Sequence, residues 1–189
     1  MAVSVIVEDG DAPDGANSYQ DVAGWKVHAD QQGWDYSVYT DDQIGSALIR
    51  STRSVDRWEK WPGVRTYGSG QSLLWPRKAG SIQYGEFVAD GDLLTVTDAE
   101  GLSIDEDEIP VLLVQAVAEA AWRELQAPGS LSPDFERGGA VKSLKAGSVE
   151  IVYADGATSR TTFSVIDDLL SGLLPDGPNG SAEVDLLRA

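Results

Sequence analysis

Three arginines offer the clearest chemistry in the sequence. Arg50, Arg53 and Arg57 recur at spacings of three and four, which sets them along one side of a helix, and guanidinium groups in a row are phosphate-binding chemistry. They lie inside a chain of 189 residues with formal charge −17. Residues 1–49 carry nine acids against one base, residues 50–78 two against seven, and the remainder twenty against six, giving −8, +5 and −14. Against that background three arginines are a weak nucleic-acid footprint, and a solvated or subunit-facing stripe is the favoured reading. Pairing of these arginines with the protein's own acids carries equal weight with contact between unlike surfaces of identical copies.

Other chemistries are thinner. There is no cysteine and only one histidine, His28, which excludes disulfides, thiolate metal sites, cysteine nucleophiles and multi-histidine metal sites. The acids Asp90, Asp92, Asp98 and Asp105 to Glu108 lack EF-hand spacing and read as turn and cap residues. The glycines of residues 63–71 lack the P-loop pattern. With no nucleophile elbow and no suggestive carboxylate pair, the expectation is a protein that is not an enzyme and holds no cofactor. Six tryptophans and six tyrosines could supply base-stacking platforms, although such proteins pair them with a basic groove, which only Arg50 to Lys78 offers.

The element that must position these groups is the stretch Ile104 to Gln126. Acidic residues 105–108 and Pro110 suit a helix start, and Gln115, Glu119, Arg123 and Gln126 form a polar stripe with Glu124 close by, opposite Leu113, Ala116, Val117, Ala120 and Ala121. Its first two turns have no polar face and must be enclosed by other elements or another subunit. Trp122, at the edge of the buried face, is a candidate contact residue, although a half-covered core tryptophan is the commoner case.

Around it the chain reads in order. Residues 3–7 are a strand or extended arm. Ser18 to Asp21 is a capping box for a helix to about Gln32, with His28 in a structural or surface role, and Trp34, Tyr36 and Tyr39 form an aromatic linker over the core. Thr40 to Gln43 is a second capping box, opening a helix with Ile44, Leu48, Val55 and Trp58 on its apolar face. Residues 80–103 switch to β pattern, with a turn at Asp90 to Asp92. Residues 138–154 read as a β-hairpin, and Ser164 to Asp167 caps a last helix with Phe163, Ile166, Leu170 and Leu173 as its stripe. The fold expected is therefore mainly α: a small helical bundle with a β-hairpin, a short β insertion at 80–103 and extended termini. Residues 1–174 form one domain and 175–189 a tail, in which Val184, Leu186 and Leu187 are candidate partner contacts, with packing back onto the domain equally weighted. No membrane span or signal peptide is visible, which places the protein in the cytoplasm where it is made.

The ordered motifs GANSY at 15–19, ALIRST at 47–52, GVR followed by Gln71 and LWPR at 74–77, IPVLLVQAVAEAA from Ile109 and GGAVKSLKAGSVEIVYA from Gly138 resemble the head-to-tail connector, or adaptor, proteins of long-tailed bacteriophages and gene transfer agents. That group is also described as similar to a primosomal single-stranded-DNA-binding protein. The resemblance implies a structural virion protein at the head-tail junction, present in the host cytoplasm during assembly. Its partners would be the portal protein, copies of itself in a dodecameric ring, a tail-side connector or tail terminator protein, and genomic double-stranded DNA passing through without specific binding. An acidic excess suits such a conduit, since like charge keeps DNA from sticking. The second function considered is a single-stranded-DNA-binding replication or packaging accessory protein.

Overall fold

The computed structural model describes residues 3–57, 61–83, 86–88, 95–131, 143–146, 149–152 and 163–174. Four helices, α1 (Val22–Gln32), α2 (Asp41–Asp56), α3 (Val111–Gln126) and α4 (Ser164–Ser171), dominate these residues. The strands are short and pair antiparallel in twos: β1 (Val64–Arg65) with β2 (Arg77–Lys78), β3 (Ser81–Gln83) with β4 (Glu86–Val88), β5 (Val96–Thr97) with β6 (Ser103–Ile104), and β7 (Ser143–Ala146) with β8 (Val149–Val152). The protein is mainly α with small hairpins, as its periodicity implies.

Helix α3 is the centre of the packing, with α1, α2 and α4 all against it. Its alanines explain why. Ala116, Ala118, Ala120 and Ala121 are fully buried, and their small side chains let the other helices approach closely. Trp25 of α1 reaches in far enough for its indole Nε1 to donate to the backbone oxygen of Ala118 at 3.1 Å. Ile44, Leu48 and Val55 of α2 and Ile166 and Leu170 of α4 close the same core. Gly172 follows α4 beside Leu112, and Phe163 before it lies under the guanidinium of Arg123, so α4 runs back along α3.

Start and stop chemistry matches the sequence in one helix and departs from it in three. In α2 the Thr40 side chain accepts from Gln43 N–H, and the Gln43 side chain accepts from Thr40 N–H, a reciprocal cap of two otherwise unpaired donors. In α1 the cap is Asp21, whose carboxylate accepts from Gly24 N–H. The Ser18 hydroxyl donates instead to the carbonyl of Gln20, a local bond that competes with capping. Pro110 is the N-cap of α3, so acidic residues 105–108 precede the helix and close a turn of their own, in which Glu108 N–H donates to Asp105 O. Ile104 is a strand residue. Phe163, with no capping side chain, precedes Ser164 at the start of α4.

At the amino-terminal end of α3, Leu112 and Val114 pack on the core, as enclosure requires, but Val111 is 66% exposed. In the β insertion, β3 pairs with β4 across residues 84–85, ahead of the turn expected at Asp90 to Asp92, which lies outside the described residues. Trp58 lies outside them as well. Strands β7 and β8 form the hairpin expected at 138–154.

Candidate nucleic-acid interface

The outer face of α2 carries the arginine stripe, and seven residues of helix put Arg50 and Arg57 about 10 Å apart along the axis. The three are not equivalent. Arg50 Nε donates to Glu124 Oε2 at 2.9 Å, so for this arginine the pairing with the protein's own acids holds. Arg53 and Arg57 are exposed and make no ion pair among the described residues.

Two concavities flank this pair. One, of about 310 Å³, lies between α2 and the loop after α3 and is lined by Arg50, Arg53, Arg57, Glu124, Gly129 and Leu131 among others. The other, of about 520 Å³, lies on the opposite side, where Arg53 and Arg57 meet Asn17, Ser72, Leu73 and Leu74 over Asp56. A groove on each side of two unpaired guanidinium groups is suited to a phosphate-bearing chain.

Buried polar chemistry holds this face in place. Glu124 is 2% exposed; one or both of its oxygens accept from Arg50, from Gly129 N–H and from Leu131 N–H. Burial pushes its carboxyl up, but the bonds from Arg50, Gly129 and Leu131 together outweigh burial and hold it below the ordinary carboxylate range. At the far end of α2, Asp56 accepts from the Tyr19 hydroxyl and from Leu74 N–H, and the same phenol oxygen accepts from Trp75 N–H. Burial raises Asp56 to about 6, against the opposing pull of those hydrogen bonds and of Arg77 and Arg57. The buried Arg77 guanidinium donates to the carbonyls of Gly63, Leu74 and Pro62, and Gln71 donates to those of Leu73 and Pro76.

Neither Glu124 nor Asp56 stands out in the sequence as a site residue. The signal was there: Glu124 is four residues from Ala120 and seven from Val117, and Asp56 is four from Thr52 and eight from Leu48, so both project from buried faces. Trp122 is half-buried and stacked on Trp34, with ring centroids 5.1 Å apart and planes 5° apart, while Trp25 and Tyr39 contact it from other sides. It is a member of an aromatic cluster between α1, the 33–39 linker and α3. His28 joins this cluster edge-on to Trp34, with Glu119 3.8 Å from its Nε2. Val184, Leu186 and Leu187 lie outside the described residues.

The model of the family described as "Putative DnaT-like ssDNA binding protein" matches residues 3–92 and 94–189. The chain belongs to this family. No curated protein and no solved structure matches it.

Membership of the DnaT-like family overturns the head-to-tail connector resemblance and the roles it implied: a structural virion protein, a portal protein partner, a dodecameric ring of copies, a tail-side connector or tail terminator, and passage of genomic double-stranded DNA. The physical reason is visible in where the quoted motifs fall. Tyr19, Gln71, Trp75 and Arg77 are buried, and the alanines of IPVLLVQAVAEAA form the core of α3. These buried residues hold the fold together and carry no information about what docks on its outside.

Proposed function

We propose that this DnaT-like protein is a non-catalytic accessory protein that binds single-stranded DNA along the outer face of α2, with Arg53 and Arg57 meeting the phosphates. The observation that carries this reading is the family match over residues 3–92 and 94–189. The geometry supports it with two exposed guanidinium groups that make no ion pair among the described residues, set between two concavities on the one basic segment of the chain. The total of −17 confines contact with a polyanion to this strip and makes the affinity modest and sensitive to salt.

The test is a fluorescence anisotropy titration of the purified chain against a labelled oligothymidylate at low ionic strength, with duplex of the same length as competitor. Saturable binding that the duplex displaces poorly supports the reading. No binding at tens of micromolar protein, on the order of the non-specific range, removes it.

A further inference from the structure

We propose that the concavity beside the amino-terminal half of α2 is a nucleobase slot, taking one unstacked base of the bound strand against Tyr39, with Gln43, Ser46 and Arg50 along its polar edge. This rests on the single-strand-binding reading above and deepens it. The concavity measures about 340 Å³, at the small end of what ligand sites use, and Leu125 and Pro128 give it an apolar wall.

Its aromatic member is held rigidly. Tyr39 N–H donates to Tyr36 O at 3.0 Å, and the phenol ring meets Trp122 at 90° with centroids 6.1 Å apart, Trp122 being itself stacked on Trp34. A ring already fixed gives up little entropy when a base packs on it. The polar edge is equally set. Gln43 commits its side-chain oxygen to the Thr40 cap, which leaves its amide nitrogen as a donor, and Arg50 commits Nε to Glu124, which leaves its terminal nitrogens.

Charge selects the occupant. Asp42 and Glu124 line the same concavity, two carboxylates against the one guanidinium of Arg50, so a phosphate is disfavoured there and an uncharged base is not. The phosphates then belong to Arg53 and Arg57, in the neighbouring concavity that shares Arg50 and Glu124 with this one. One strand can thus place a base in the slot and its backbone on the arginines. Stacking of bases on aromatic rings beside a positively charged groove that tracks the backbone is the usual division of labour in single-strand binding.

The experiment uses the full chain and a fluorescein-labelled oligothymidylate of about 15 nucleotides, a length in the range of single-strand site sizes. Tyr39→Ala removes the ring, Tyr39→Phe keeps it, and Ser46→Met fills the concavity from a helix position that tolerates methionine. The expected result is a loss of about 10-fold or more in affinity for Tyr39→Ala and for Ser46→Met, near wild-type binding for Tyr39→Phe, and an unchanged salt dependence in all three. An oligonucleotide with abasic sites should bind wild type as weakly as the intact one binds Tyr39→Ala. Wild-type affinity in a folded Ser46→Met together with Tyr39→Ala would overturn the slot while leaving the arginine site standing. Failure of the wild-type chain to bind any single strand would remove the reading on which the slot depends.

Discussion

Glu124 of α3 holds Arg50 of α2 from beneath, with 2.9 Å between Arg50 Nε and Glu124 Oε2, and the same carboxylate ties down Gly129 and Leu131 in the loop beyond α3. One buried group therefore fixes the arginine helix and one wall of its groove together. Glu124→Gln should lower stability by about 1–3 kcal/mol at neutral pH, because charge-assisted bonds become neutral ones around a buried group. Arg50→Ala should cost less, since its side chain is 47% exposed and water screens the pair. Glu124 sits below its usual range, so it stabilises the fold above the unfolded carboxylate pKa, and that contribution disappears as pH falls through its folded value. Urea denaturation of the two variants at pH 7 checks the order; a costlier Arg50→Ala would contradict it.

Asp56 should impose the opposite slope. Its folded pKa of about 6 lies above the unfolded value of 3.8, so the folded state holds a proton that the unfolded state has lost, and stability from this group falls as pH rises from about 4 to about 6. The shift corresponds to at most about 3 kcal/mol. Asp56→Asn removes the titration, so the variant should gain on wild type by up to that amount between pH 4 and 7. Parallel denaturation curves at those two pH values would show it, and a difference that stays constant across the window would refute the assignment.

The arginine pair makes a quantitative forecast for salt. Each phosphate neutralised on a single strand contributes about 0.7 to the slope of log affinity against log salt, so losing Arg53 and Arg57 together should flatten that slope by about 1.4. Arg53→Lys with Arg57→Lys should preserve the slope, because point charges suffice for a counterion effect. Anisotropy titrations over a range of sodium chloride provide the measurement. An unaltered slope in the double alanine variant would move the phosphate site elsewhere.

Gly63 offers a test of the fold beneath the site. It has a φ of +62°, and a Cβ there would sit 2.2 Å from the carbonyl oxygen of Lys78. Gly63→Ala should therefore open the β1–β2 pairing and cost at least about 2 kcal/mol. The neighbouring Arg77 guanidinium, which also takes the Gly63 carbonyl, would lose part of its support. A midpoint for chemical denaturation equal to wild type would show that this approach is looser than the geometry states.

What could be read from residues alone follows a physical division. The periodicity of α2 and its Thr40 and Gln43 cap are local, and both are present as the spacing demands. The buried stripe of α3 and the pairing of β7 with β8 were legible for the same reason. Features decided by distant partners were not. Ser18 to Asp21 reads as a capping box, and only the fold shows that the Ser18 hydroxyl bonds to Gln20 and that Asp21 is the cap. Glu124 resembled another member of a polar stripe until Arg50, 74 residues away, appeared beside it. The concavities along α2 arise from elements far apart in the chain, so the grooves around Arg53 and Arg57 have no signature in sequence, and the motif resemblance pointed to the wrong partners.

Because α2 is fastened near its end through Asp56 and along its length through Arg50, the guanidinium groups of Arg53 and Arg57 ride on a bar that cannot readily bend toward an arriving ligand. On the single-strand-binding function proposed above, the adjustment on association falls on the nucleic acid, whose backbone must be drawn out to the spacing of the bar. Strands that are already unstacked would be captured in preference to those that must first be melted.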